Sequence, residues 1–343
     1  MTNEPKRRRH MALMVLPHLR VQNANAVSSP MTWGFPAITA FTGMMVALER
    51  KLTAEAGVSF MRVGVVCHDH EAQITPTGRT RSFRLTRNPV LADGSSAAIV
   101  EEGRIHLDVT LVFEVRLSDD HLDDAVREAC AQRIADTAAG MRLAGGSILP
   151  ATPVVATTKL KPWMELLQPR EEVKERQAQF RRLARRCLPG FTLVSRHTLL
   201  EERLAELKAE QPGATALDAL LDLSCLTIRA EAPAACAVGA SSTEWIHEAR
   251  SGWYVPIPVG YAALSEIYPP GTVRGARDQH TPFRFAETLW SVGQWISPHR
   301  LNDVEDLLWH SGAPTAQGLY CCTNRYQPAP PAGFDLDEEV FDD

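Results

Sequence analysis

Apolar and polar positions along this chain follow rhythms that predict the elements of its first half. Residues 11–21 (MALMVLPHLRV) are apolar enough for a strand, and Pro17 at their centre predicts a kink or an edge position. Over residues 36–56, Ile38, Phe41, Met45, Leu48 and Leu52 recur at three- and four-residue steps, the period of one helix face. Pro36 suits the first turn and Gly57 the stop. Residues 58–67 (VSFMRVGVVC) predict an apolar strand. Over residues 104–117, Ile105, Leu107, Val109, Leu111 and Phe113 share one face of a half-buried strand. Ser118 is placed to cap a helix over 119–139, closed by Gly140. Residues 141–149 predict a shorter strand interrupted by Gly145 and Gly146. A polar insertion, residues 73–103, carries turn signals at 76–78, 88–89 and 93–94. The order is βαββαβ with a long insertion. It predicts an α+β, ferredoxin-like domain over residues 11–150, a fold that by itself decides no function.

The second half, residues 151–327, is less regular and predicts an α+β domain packed on the first. A loop with Trp163 spans 159–168, a charged helix 171–187, a strand 191–195 and a helix 199–210. The Ala-rich stretch 229–243 predicts a mobile loop. Residues 252–261 alternate Trp, Val and Ile around Pro256 and Pro258, and residues 283–296 and 302–310 predict helices. The chain begins with a basic leader, 1–10. It ends in a Pro-rich and then acidic tail, 328–343, whose composition predicts disorder.

Composition sharpens this outline. No apolar run reaches the roughly 18–20 residues of a membrane span. Lys6 to Arg9 is followed by too short an apolar stretch for a signal peptide, so a cytoplasmic location is expected. The seven cysteines show no C-x-x-C pair and fit reduced thiols. Net charge is −5, but the last nine residues hold six acids and no base. The bases cluster instead, in one group with Arg79, Arg81, Arg84 and Arg87 and another over 170–186. A near-neutral body can still carry a basic groove.

Candidate chemistry lies in two loops. The first, RVQNANAVSSPMTWGFP, offers Arg20, Gln22, Asn23, Asn25, Ser28, Ser29 and Thr32. Amides and hydroxyls donate and accept at once, as base edges and 2′-hydroxyls require, and Trp33 can stack on a base. The competing reading is a turn held by its own side chains. The second, MRLAGGSILP, places Arg142 and Ser147 around Gly145 and Gly146, where a ligand can approach the backbone. It is neither a P-loop nor a dinucleotide fingerprint. The run from Cys67 to Glu71, with His106, resembles a metal site but meets no spacing rule, so no metal is expected. No hydrolase or nucleophile motif occurs, so no catalytic residue is assigned. His18 and His299 are the histidines that a general acid–base site would draw on.

The strings LPHLRVQNANAVSSPMTWGFPAITAF, TRNPVLADGSSAAIVEEGRIHL, MRLAGGSILP, GWYVPIPVGYAALS and SPHR resemble the second Csy subunit of type I-F CRISPR surveillance complexes. That family lies in the RAMP superfamily, which is built on ferredoxin-like domains with a Gly-rich loop. The resemblance implies a non-catalytic subunit that grips the 5′ handle of the CRISPR RNA and pairs with the large subunit. It would abut the adjacent backbone subunit and meet target DNA only through the complex. It needs no cofactor, and the insertion 73–103 would be a thumb-like projection. The expected RNA contacts are Arg20, Gln22, Asn23, Asn25, Ser28, Ser29, Trp33, Arg84, Arg87, Arg142, Gly145, Gly146 and Ser147. Arg274, Arg277, Arg284, His299 and Arg300 form the alternative RNA surface. Two rival readings are an RNA-processing endoribonuclease of the same superfamily and a protein-only scaffold.

Overall fold

The computed structural model describes residues 10–52, 57–78, 80–87, 90–149, 160–225, 228–231, 244–247 and 252–328. Most of the predicted leader, of the 229–243 loop and of the acidic tail lies outside them, as do residues 53–56, 150–159 and Arg79.

The first strand, β1 (His10–Asn25), turns Ala12, Met14 and Leu16 to one face and Leu13 and Val15 to the other, all buried. Its pairing slips between Leu16 and Leu19, and His18 takes φ 48°. The kink predicted at Pro17 is thus a bulge, since proline has no N–H for the ladder. A second slip, between Val21 and Ala24, leaves Asn23 at φ 57°.

A small hairpin, β2 (Val27–Ser29) and β3 (Thr32–Trp33), leads to α1 (Ile38–Lys51). The helix buries the expected stripe and ends at Leu52, earlier than predicted. The next strand, β4 (Val58–Ala72), runs on through the polar residues after Cys67. The insertion folds into two hairpins, β5 (Ile74–Thr77) with β6 (Thr80–Phe83) and β7 (Leu85–Arg87) with β8 (Ile99–Glu101). Then come β9 (Arg104–Leu117) and α2 (Asp124–Ala139). The cap of α2 is Asp123, whose carboxylate accepts from the N–H groups of Ala125 and Val126; Ser118 instead bonds His121 Nδ1. A 3₁₀ turn, Asp119–Leu122, intervenes and moves the helix start past Ser118. The last predicted strand of this half is a hairpin, β10 (Arg142–Leu143) and β11 (Gly146–Ile148), turned by Ala144 and Gly145 at positive φ.

These strands lie in the order β10-β11-β1-β9-β4, all antiparallel. Helices α1 and α2 bury Phe41, Leu48, Ala131 and Ile134 on the face that holds Met14, Leu111 and Phe113.

In the second half, β12 (Trp163–Leu166) takes the edge of β1 along Ala12–Val15, where a loop was expected. That edge is open because β11 uses only Val21 and Gln22. The helix α3 (Val173–Arg186) covers the other sheet face with Phe180 and Leu183 against Leu13, Val15 and Val112. Then follow β13 (Phe191–Ser195), α4 (His197–Glu210), α5 (Ala216–Ser224) and a hairpin of β14 (Ile228–Glu231) with β15 (Glu244–His247). The chain closes with β16 (Trp253–Ala263), β17 (Ala286–Ile296), α6 (Val304–Leu307), β18 (Leu308–Ser311) and β19 (Leu319–Asn324).

The helix predicted over 283–296 is therefore wrong: the segment is largely β17. Gly293 packs on Leu193 and Ile257, while Val292 joins α4 and α5, so both faces are buried. A strand apolar on both faces loses its two-residue rhythm. The helix predicted over 302–310 shrinks to the single turn α6. Its capping box, Asp303 with Asp306, starts a helix that Leu308 and Trp309 leave to pair with β4.

The second-half strands continue the first sheet. They run β4-β13-β17-β16-β19-β18, and β18 returns to β4. β13 meets β4 at Val66 and Cys67, and β18 meets it at Val63 and Gly64. Trp309 fills this closed run, fully buried, with Nε1 donating to the Leu193 carbonyl at 2.8 Å. Replacing Trp309 by Ala is expected to cost about 3–5 kcal/mol. Urea denaturation of the two proteins measures it; an unchanged midpoint would refute the closure.

Candidate nucleic-acid interface

The two loops singled out in the sequence meet at one end of the sheet. Register places Gln22 beside Ser147 and Ser147 beside Arg142, a row across β1, β11 and β10. All three are exposed, as is Arg20 two positions earlier on β1. Arg20 sits opposite Asp108 of β9. Asn23, exposed on its bulge, donates its backbone N–H to His106 Nδ1 at 3.1 Å, and its amide side chain makes no hydrogen bond among the described residues.

Glycine is required at Gly146, since a Cβ there would stand 2.6 Å from the Ala24 nitrogen and 2.7 Å from the Gln22 oxygen. Its role is to let the hairpin lie against the bulge of β1. Gly145, at φ 77° with open space around its Cβ position, is the one that leaves room for a ligand. Among the described residues, the non-glycine positive-φ positions are His18, Asn23 and Ala144. All three lie in β1 or this hairpin.

Other predicted contacts are spent on the fold. The Asn25 amide closes its own turn, donating to the Val27 carbonyl and accepting the Val27 N–H. Ser28 and Ser29 both bond Thr32 Oγ1, and buried Ser29 accepts from Trp290 Nε1 at 2.9 Å. For these residues the local-turn alternative describes the geometry. Arg84 donates to Gln73 Oε1 at 2.7 Å within the insertion. Arg87 ends β7 opposite Ile99, and its side chain lies outside the described set.

Trp33, 51 % exposed, stands edge-on to Phe83 of the insertion. It also borders a cleft of about 750 Å³ that sequence reasoning missed, lined further by Phe191, Trp253, Trp295, His70 and Arg81. Trp253 packs on Phe191 and Trp295 while remaining 56 % exposed. The aromatic content of 252–261 was visible in the sequence, but only the ring closure through β13 and β17 brings it beside Trp33. The alternative set is scattered. Arg274 and Arg277 are exposed in the β16–β17 connection, where Arg284 Nε donates to the Ser265 carbonyl. His299 and Arg300 are exposed on a 3₁₀ turn next to α3.

Histidines border the interface. His18 Nδ1 lies 3.0 Å from Asp108, and its ring stacks on His68 at 4.0 Å. The geometry has His68 Nδ1 donating to the Pro189 carbonyl while Nε2 accepts from the Thr110 hydroxyl, each at 2.7 Å. Burial pushes His68 down from the usual histidine value; the Pro189 carbonyl opposes this and the neighbouring His18 adds to it. Burial, with Asp108 and Asp69 nearby, pushes the Cys67 thiol up to about 12. Cys67 thus stays a thiol, and no three metal-ligating side chains converge among the described residues.

The family described as CRISPR-associated protein (Cas_Csy2) matches residues 14–322. The chain belongs to the Csy2 family. It is also 49 % identical over 314 residues to the CRISPR-associated protein Csy2 of Pseudomonas aeruginosa strain UCBPP-PA14, covering 90 % of this chain and 94 % of that protein. It is therefore a Cas subunit of the type I-F system, as the sequence strings implied. The family match embraces the interface and the aromatic cleft and stops short of the acidic tail. No helix among the described residues is long and apolar enough to cross a membrane.

Because His68 binds its proton less readily when folded than when unfolded, its contribution to stability is complete above the ordinary histidine range. It is lost as pH falls through that range. The denaturation midpoint is expected to fall from about pH 7 to pH 5, and to fall less in a His68→Gln variant. NMR titration should show the His68 ring charging at lower pH than a peptide histidine; charging at or above that value would contradict the assignment.

Proposed function

We propose that this chain is a non-catalytic RNA-binding subunit of the type I-F surveillance complex that grips the 5′ handle of the CRISPR RNA. The observation that carries the reading is the gathering of Arg20, Gln22, Arg142 and Ser147 with three strained residues, His18, Asn23 and Ala144, at one sheet end. Strain of this kind persists where function needs a fixed geometry. The guanidiniums meet phosphates and set the register, while Gln22 and Asn23 reach base or sugar edges. The cleft beside Trp33 takes a splayed base.

We read the first half as a ferredoxin-like RAMP domain, supported by the strand order β11-β1-β9-β4 with both helices on one face. An RNA recognition motif stacks bases on the face opposite its helices. Here α3 covers that face at Leu13, Val15 and Val112, which favours binding at the uncovered end. The non-catalytic reading is supported by His68, both of whose ring nitrogens are engaged. Pairing with the large subunit is assigned to the β16–β17 connection, where Leu264 and Ile267 are 69 % and 62 % exposed. The complex would act in the cytoplasm and meet target DNA through its RNA.

The test is binding of labelled handle RNA to the heterodimer with the large subunit at several salt concentrations. Arg142→Ala should weaken every handle sequence by about 1–3 kcal/mol and lower the salt slope by about one. Asn23→Ala should narrow the gap between correct and scrambled handles. Asn25→Ala should act through loop stability. Unchanged affinity and selectivity in the Arg142 and Asn23 variants would move the site to Arg274, Arg277 and Arg284. Incubation with precursor repeat RNA should yield no discrete product; a product lost in His18→Ala would establish the endoribonuclease instead.

A further inference from the structure

At the opposite end of β1, eleven residues and roughly 35 Å from Gln22, a cavity of about 710 Å³ opens beside His10 and Met11. Five guanidiniums line it, from Arg62, Arg116, Arg170, Arg176 and Arg325, against the carboxylates of Glu114 and Glu305. Arg62 is only 9 % exposed. Its Nε and Nη2 are held by Glu114 at 2.5 and 2.6 Å, while Nη1 is buried with no hydrogen-bond partner, 3.8 Å from Glu305. Glu305 also takes Arg170 at 2.6 Å and Arg325 at 3.0 Å, so one carboxylate serves several cations. Arg116 is exposed with no ion pair among the described residues. Buried His310 Nδ1 also lacks a partner. Asp303 takes Arg176 at 2.8 Å, so the excess of cations rests on unpaired Arg116 and on Arg170 and Arg325 sharing Glu305.

The chain leaves from the rim of this cavity. Arg325 lines it, Tyr326 packs on the cluster under α3, and the described residues end at Pro328. Fifteen residues follow, with Asp335, Asp337, Glu338, Glu339, Asp342 and Asp343 and no base. Phe334, Leu336, Val340 and Phe341 are interleaved with the acids, and the cavity offers Met11, Met61 and Leu167 between its arginines. The first acid stands seven residues past Pro328, a reach of up to about 23 Å.

We propose that the acidic tail, residues 329–343, docks back into this arginine-lined cavity. Tethering at the rim supplies an effective concentration on the order of millimolar, so weak individual contacts suffice. The tail lies beyond the residues that the family model matches.

The test uses the full chain and a fluorescent peptide of residues 329–343, read by anisotropy. The receiving protein carries a neutralised tail, with Asp335, Asp337, Asp342 and Asp343→Asn and Glu338 and Glu339→Gln. The peptide should bind it at least tenfold more tightly than it binds the wild type, whose own tail competes. Adding Arg116→Ala and Arg325→Ala, both at exposed positions, should abolish that binding while thermal stability and handle-RNA affinity hold. Equal binding to wild-type and neutralised chains, or binding indifferent to the two arginines, would overturn the proposal. So would a cavity that takes tripolyphosphate, with loss in the same double variant, but not the peptide.

Discussion

The second edge of β4 governs the architecture. β9 pairs along most of one side; β13 and β18 divide the other, at Val66–Cys67 and Val63–Gly64. This division makes two bodies of secondary structure share one sheet. It demands glycine at Gly64, where a Cβ would stand 2.5 Å from Leu307 Cγ. It also puts Arg62 beneath the junction, where the Arg62–Glu114 pair and Glu305 satisfy most of the buried charge. Removing one member of such a buried pair would cost about 3–5 kcal/mol, far more than losing an exposed one.

The candidate interface arises from departures from that regular sheet. Two bulges in β1 and a tight hairpin beside it turn polar groups outward where the helices and α3 no longer cover the strands. Gly146 holds these departures together, since its missing side chain lets the hairpin rest on the backbone of Gln22 and Ala24. A regular strand through residues 17–25 would have carried the same polar residues without fixing their directions.

Much of the first half was legible in the sequence because its strands are apolar on a clear rhythm and its helices carry a single stripe. Strand β9 was delimited to the residue, and α1 and α2 differed only at their ends. The second half resisted for a physical reason. Strand β17 is buried on both faces, and β12 and β18 are too short for any period to show. Their identity comes from the edges they find on β1 and β4. The loop at 20–36 stands out in the sequence for its amides and hydroxyls, yet its hydroxyl residues and Asn25 hold the turn. Side-chain type alone does not distinguish a turn that braces itself from one that reaches outward. The aromatic cleft was hidden for a related reason, since Trp33 and Trp253 lie over two hundred positions apart.

The shared edge of β4 also sets an order in time. Its last partner, β18, is separated from it by some 240 residues of chain. At the usual pace of synthesis, about 5–20 residues per second, β4 waits on the order of ten seconds or more for that partner. Until then a hydrogen-bonding edge in an apolar strand stands open, the kind of template on which chains mispair. Trp309 and the residues that seal the ring emerge after β13, β16 and β17, so the sheet closes only after those strands are made.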